Sequence, residues 1–180
     1  MNITFELFDP LKSDHIDTLF RWETDEEIFK LITPIFKQED QNKLADRKVF
    51  ASKYLKTGDY IHEIQFICVD NKPVGNFSLM MDPGHLYKKI KGTAWLGLTI
   101  AEREYWGKGI AKIGMEKFEE RALFHGANRI ELGVFEFNSR AISFYKKIGY
   151  QEIGRIEEFT WADDKKWDDI RMEKILLDEN

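Results

Sequence analysis

The run Tyr105-Trp106-Gly107-Lys108-Gly109-Ile110-Ala111-Lys112 constrains this chain more than any other stretch. An apolar segment, Trp95 to Ile100, precedes it, and a helical pattern begins near Gly109. A strand therefore feeds a glycine-rich turn that opens directly into a helix. Glycine adopts positive φ at no steric cost and carries no side chain, so such a turn can point several consecutive N–H groups at one place. The helix start adds its unpaired N–H donors and the positive end of its dipole. A phosphate or pyrophosphate is the guest such a turn suits. Two common phosphate motifs are absent, however. G-x-G-x-x-G fails because its third glycine would be Lys112, and no Gly-Lys-Ser/Thr completes a P-loop. Taken alone, the turn leaves two readings open: a phosphate cradle, or a plain strand-to-helix connection.

The 180 residues suit a single domain over 1–180 and are enough to bury a substantial core. With 43% apolar and 33% charged residues the chain has the profile of a soluble globular protein. A net charge of −5 argues against a nucleic-acid partner and fits, weakly, a small cationic substrate. Cys68 is the one cysteine, so an internal disulfide and a cysteine metal cluster are both excluded; within Ile67-Cys68-Val69 it reads as a small buried hydrophobe. His15, His62, His85 and His125 show no metal-ligand spacing and read mostly as loop or surface residues, so no metal is expected. The start, Met1 to Leu7, reads as a strand and not a signal peptide, and no apolar stretch is long enough for a membrane span. No membrane partner is expected, and the cytoplasm is the expected address.

Ile3, Phe5 and Leu7 alternate with polar residues as a first strand. Ser13 or Asp14 can cap a helix with Ile16, Leu19 and Phe20 on one face, a short helix follows Thr24-Asp25 until Pro34, and Gln38 to Leu55 reads as a third helix ended by Thr57-Gly58-Asp59. Ile61 to Val69 and Val74 to Met81 form a hairpin through Asp70-Asn71-Lys72-Pro73, and Gly92 to Ile100 is a fourth strand. The helix after the glycine turn packs Ala111, Met115, Phe118 and Ala122, and ends at Gly126. Ile130, Leu132 and Val134 mark a fifth strand, parallel to the fourth if that helix is a crossover. A helix from Ser139 to about Ile148 and a hairpin, Arg155 to Trp161 with Trp167 to Leu176, complete the chain. The expected fold class is α/β: a single mixed, mostly antiparallel sheet with a central parallel pair and helices on both faces.

A second patch, Asn138-Ser139-Arg140-Ala141-Ile142-Ser143-Phe144-Tyr145, places Asn138 at a strand end and Tyr145 two helical turns on. Both can face a cleft where strands four and five splay. Together the two patches resemble the Gcn5-related N-acetyltransferase (GNAT) family, most strongly from Trp95 to Tyr150. The family's turn, Gln/Arg-x-x-Gly-x-Gly/Ala, is matched by Gly109 and Ala111, with Trp106 in place of the opening Gln/Arg. Tyr-Trp-Gly-Lys-Gly, the ending Asp169 to Lys174 and Phe20-Arg21-Trp22 are similar to the branch of ribosomal-protein and spermidine N-acetyltransferases.

The resemblance implies the acyl-CoA N-acyltransferase fold, with the parallel pair splayed around acetyl-coenzyme A as co-substrate. It implies that Trp106, Gly107, Lys108, Gly109, Ile110 and Ala111 hold the pyrophosphate through backbone N–H groups. The pantetheine arm would pair with Leu98, Thr99 and Ile100, and Asn138 and Ala141 would line it. Tyr145 would be the general acid that protonates the departing sulfur. Some relatives carry a glutamate base at the position of Gly133, which has no side chain to offer. Glu131, on the same strand face, is the first substitute, and Glu136, Glu63, the carboxylates near Asp25 or a water chain are others. The acceptor would be a small-molecule amine such as a polyamine, or a peptide N-terminus, held among Trp22, Phe36, Tyr87, Trp161 and Trp167 with Glu23, Asp25 and Asp163. The resemblance also admits a homodimer in which the last hairpin pairs edge to edge with its copy. Two rivals stand beside this reading: an inactive domain that holds acyl-coenzyme A as a sensor or scaffold, and a nucleotide-binding enzyme of another fold.

Overall fold

The computed structural model describes residues 1–40, 46–55 and 62–176. Seven strands form one sheet in the order β1-β2-β3-β4-β5-β7-β6. They are β1 (Ile3–Leu7), β2 (His62–Val69), β3 (Lys72–Met81), β4 (Thr93–Ile100), β5 (Arg129–Phe135), β6 (Gln151–Ala162) and β7 (Lys165–Ile175). All neighbours pair antiparallel except β4 and β5, as the crossover helix requires. The β2–β3 turn is tighter than the four residues expected. Asp70 and Asn71 alone make it, at φ +48° and +65°, while Lys72 and Pro73 already belong to β3. Two central residues at positive φ match the strand twist, as a type I′ turn does. Asp163 and Asp164, at +52° and +55°, turn the last hairpin in the same way. Its first strand starts at Gln151, earlier than the apolar pattern suggests, because register shifts between Glu152 and Gly154 and between Ile156 and Thr160 break the alternation.

Helices cover both faces. On one, α4 (Ile110–Phe124) and α5 (Ser139–Lys147) pack Met115, Phe118, Ala122 and Tyr145 onto Ile67, Phe77, Leu96, Leu132 and Met172. Phe77 and Phe118 meet edge to face at 5.6 Å. On the other, α1 (Ser13–Glu23) and α3 (Arg47–Leu55) close a smaller core of Ile16, Leu19, Trp22, Phe50, Phe66 and Cys68. The short α2 (Glu26–Ile32) follows α1 and is capped by Asp25, whose carboxylate accepts the Ile28 N–H. Neither Ser13 nor Asp14 caps α1: Ser13 is already helical and Lys12 stands at the cap without a side-chain hydrogen bond. The third helix is not continuous from Gln38. A single 3₁₀ turn spans Gln38–Asp40, α3 begins at Arg47, and its expected end at Thr57-Gly58-Asp59, like Ile61, lies outside the described residues. His15 also departs from expectation. It is buried beside the smaller core, against Phe8 and Phe66, its Nδ1 accepting the Asp9 N–H at 3.0 Å. Among the described residues no helix is long and apolar enough to cross a membrane, and no cluster suited to a metal ion occurs.

Candidate active site

The parallel register of β4 and β5 runs from Thr93↔Arg129 to Leu96↔Leu132 and stops there, although both strands continue. Gly97 to Ile100 therefore keep a free edge towards β5, and a notch opens between the strands. Leu98 and Ile100 turn their side chains into the core, while Gly97 and Thr99 line the opposite face. An extended chain laid in the notch would find unpaired backbone groups on β4.

The glycine turn stands at the head of that notch. Gly107 and Gly109 take φ +74° and +81°, the left-handed region that glycine fills without strain, and Gly109 is the N-cap of α4. The N–H groups of Gly107, Gly109, Ile110 and Ala111 meet no acceptor among the described residues. Lys108 is exposed, its Nζ over the Tyr105 ring at 5.2 Å. Trp106 braces the turn: its Nε1 donates to the Ile100 carbonyl at 2.6 Å. The indole also carries the Arg140 guanidinium, 3.6 Å from its ring centre, and Arg140 has no carboxylate partner among the described residues. A pocket of about 340 Å³ lies here, lined by Lys30, Trp106, Asn138, Ser139 and Arg140. The turn thus supplies free N–H groups and a nearby unpaired cation, which fits the diphosphate of a coenzyme A ester. Arg140 was not among the residues that the sequence pattern singled out.

On the far side of the notch Asn138 caps α5, its Oδ1 accepting the Ala141 N–H at 3.2 Å. That bond leaves the Asn138 amide N–H groups for another acceptor. Tyr145, one turn from the end of α5, is buried, and burial pushes its hydroxyl up, well above the ordinary tyrosine value. A hydroxyl so placed stays protonated across the physiological range and finds no hydrogen-bond partner among the described residues. Tyr145 is a proton donor without a partner.

The expected bases fare differently. Glu131 is fully buried and lies opposite Trp95. Arg129 Nη2 holds its carboxylate at 2.7 Å, the Tyr87 N–H at 2.5 Å and the Lys88 N–H at 3.4 Å, with Arg171 Nη1 at 3.8 Å. Glu131 therefore ties the loop between β3 and β4 to the sheet, and this placement speaks against a base open to an acceptor. Glu63 is gripped by Arg121 at 2.7 and 2.8 Å and by His125 at 2.9 Å; these bonds outweigh its burial and pull it down to about 2. Glu136 pairs with Arg155 at 3.2 Å, and Asp25 with Arg103 at 2.5 Å. At Gly133 the space a side chain would fill is taken by the carboxylate of Asp169 from β7. No sequence spacing announces that contact.

A cleft of roughly 770 Å³ opens on the Gly97–Thr99 face, lined by Leu7, Phe8, Trp22, Glu23, Tyr54 and Ser78 among others. Leu7, the last apolar residue of the β1 alternation, is exposed at its wall. Of the acidic residues expected to hold an ammonium, Glu23 already accepts from Lys53 and Tyr54, both at 2.8 Å, and Asp163 pairs with Lys30 at 2.5 Å. Trp22 is buried and donates to Glu102, whereas Phe36 and Tyr87 are exposed.

The model of the acetyltransferase (GNAT) family matches residues 17–150. Thialysine N-epsilon-acetyltransferase of Bos taurus is 32% identical over 71 residues, which are 36% of this chain and 42% of that protein. The chain spans between 28% and 55% of the length of the curated relatives it matches. Among solved structures, a spermidine N-acetyltransferase chimera from Vibrio cholerae and hSSAT superposes with a TM-score of 0.75 at 17% identity, covering 98% of this chain and 96% of that one. A Salmonella typhimurium protein assigned as an acetyltransferase and solved with its cofactor acetyl-CoA gives 0.73 at 13% identity, covering 100% and 97%. At such identities the structural likeness shows the fold.

Proposed function

This chain belongs to the acetyltransferase (GNAT) family, and from that premise we propose that it moves an acetyl group from acetyl-coenzyme A to a primary amine. The observation that carries the proposal is the notch: β4 and β5 part after Leu96↔Leu132, with the free N–H groups of the glycine turn on one side and the unpartnered Tyr145 hydroxyl on the other. Acetyl-coenzyme A would supply a thioester carbonyl ready for attack. Gly107, Gly109, Ile110 and Ala111 would hold its pyrophosphate, with Lys108 and Trp106 as the exposed corner and the brace of the turn and Arg140 beside them. The free edge of Leu98, Thr99 and Ile100 would pair with the pantetheine arm, Asn138 would donate to it, and Ala141 would pack against it.

Two contributions from the protein follow. Backbone N–H groups on β4, fixed before the reaction, would stabilise the negative charge that develops on the carbonyl oxygen. Tyr145 would give its proton to the departing sulfur, help that is typically worth about 10²–10⁴-fold. The acceptor would enter through the cleft over Gly97 and Thr99. A small amine or polyamine is favoured, since the relatives named above include enzymes of thialysine and spermidine. A free peptide N-terminus is the alternative acceptor.

Thiol release from acetyl-coenzyme A tests the proposal, with spermidine, spermine, lysine, an aminoglycoside and a peptide with a free N-terminal alanine as acceptors. Rapid release with one class is the expected result. Calorimetric binding of acetyl-coenzyme A without release would favour a sensor over an enzyme. Failure to bind it would overturn the proposal.

A further inference from the structure

We infer that Asp169 takes the proton from the acceptor amine, its carboxylate standing where the side chain of Gly133 would begin. The inference rests on the acetyltransferase reading above and adds to it the base that the fifth strand itself lacks.

Gly133 is the first residue of β5 beyond its parallel register with β4, so a side chain there would start at the notch. Its Cβ would lie 2.6 Å from Oδ2 of Asp169 and 2.9 Å from Oδ1. Asp169 pairs with Phe135, two residues further along β5, and leans back over Gly133. Trp95 pairs with Glu131 in the parallel register, so Trp95, Gly97 and Thr99 of β4 share one face of the sheet with Glu131 and Gly133 of β5. Gly97 and Thr99 line the cleft. The Asp169 carboxylate is therefore on the same face of the sheet as the cleft, itself buried, whereas Tyr145 packs into the core on the other side of the sheet. A base and an acid flank the notch from opposite faces.

Glu131 and Glu173 share this face but are engaged: Arg129 spans both, at 2.7 and 2.6 Å, and Lys88 holds Glu173 at 2.6 Å. Among the described residues Asp169 meets one charged group, Arg171. Its Nε stands 2.7 Å from Oδ2, a buried ion pair that pulls the carboxyl down. The guanidinium is divided among other duties, 3.2 Å from the His85 carbonyl, 3.8 Å from Glu131 and 4.8 Å from the Trp95 ring centre. From β6, Phe159 faces the same guanidinium at 6.0 Å. The remaining titratable groups here, Glu131 and His85, act on Arg171. Burial pushes the Asp169 carboxyl up to about 6 against the pull of Arg171. It is thus ionised at neutral pH and basic enough to hold a proton briefly.

The step balances. Asp169 takes one proton from the ammonium, leaving a neutral amine and a carboxylic acid. The nitrogen lone pair forms the C–N bond to the thioester carbon, and the C–S bond breaks with its electron pair on sulfur. Tyr145 protonates the sulfur, and the new amide nitrogen sheds its surplus proton, which restores Tyr145 through water. Asp169 then returns its proton to solvent. Ammonium and thioester have become amide, thiol and one proton.

Asp169→Asn tests this, with spermidine or the alanyl peptide as acceptor, whichever is faster. At pH 7.5 turnover should fall by roughly 10²-fold or more while acetyl-coenzyme A affinity stays unchanged. In the parent, kcat/KM should fall on acidification with a midpoint near 6, and the variant should lose that limb. A transplant guards against a purely structural effect: Asp169→Ala with Gly133→Glu moves the carboxylate to β5, and it should recover activity that Asp169→Ala alone lacks. Parent-like turnover and an unaltered pH profile in Asp169→Asn would overturn the assignment while the acetyltransferase reading stood. No turnover by the parent with any amine would overturn both.

Discussion

The two walls of the notch are made of different material. From Trp106 to Ala111 the wall is backbone: left-handed glycines and unpaired N–H groups, with Trp106 bracing the turn, Lys108 exposed and Ile110 anchored in the core. From Arg129 to Glu173 the wall is side-chain charge, three carboxylates and two guanidinium groups packed on one face of β5 and β7. A backbone site needs particular φ values and tolerates many side chains. A buried charge cluster is the reverse, since each member is the counter-ion of another and its removal strands a charge away from water.

The contrast predicts graded responses. Glu131→Ala should be the most damaging, because it leaves Arg129 and Arg171 buried without their shared partner; breaking a buried pair in this way typically costs about 3–5 kcal/mol, to be read from denaturant unfolding. A loss near zero would mean the cluster is solvated and the contrast false. Gly109→Val comes next. Nothing lies within 4 Å of the Cβ it would add, so its penalty comes from φ +81° and amounts to about 1–3 kcal/mol, appearing in weaker acetyl-coenzyme A binding by calorimetry. Unchanged affinity would make the turn a plain connection. Lys108→Ala should change affinity least, by no more than about 1 kcal/mol, since an exposed lysine over a tyrosine ring contributes little. A large loss there would show that the side chain, and not the backbone, holds the phosphates.

The same contrast explains what the sequence discloses. Strand four, the glycine turn, α4, strand five and the cap at Asn138 are legible because each rests on local spacing: alternation, positive-φ residues, a helical face. Asp169 over Gly133 is not legible. It joins residues of two strands that neighbour each other only because β7 inserts between β5 and β6. Glu131 looked accessible because its strand face was right; its partners, Arg171 and the backbone of Tyr87 and Lys88, come from a distant strand and a loop. Trp106 stands where the family's turn opens on Gln/Arg, and nothing in the sequence says what the indole does there. The structure shows it bonded to Ile100 and stacked under Arg140, a cation supplied from the next helix. The short 3₁₀ turn at Gln38–Asp40 was missed for a simpler reason: a polar helix and a polar turn have similar composition.

The division of labour is tested most directly on Tyr145→Phe, by measuring turnover and acetyl-coenzyme A affinity on the same preparation. Among the described residues the hydroxyl makes no hydrogen bond, so its removal should leave the fold and the affinity intact while turnover falls by about 10²–10⁴-fold. Parent-like turnover would contradict the account, since the notch would then lack the acid on which the proposed reaction depends.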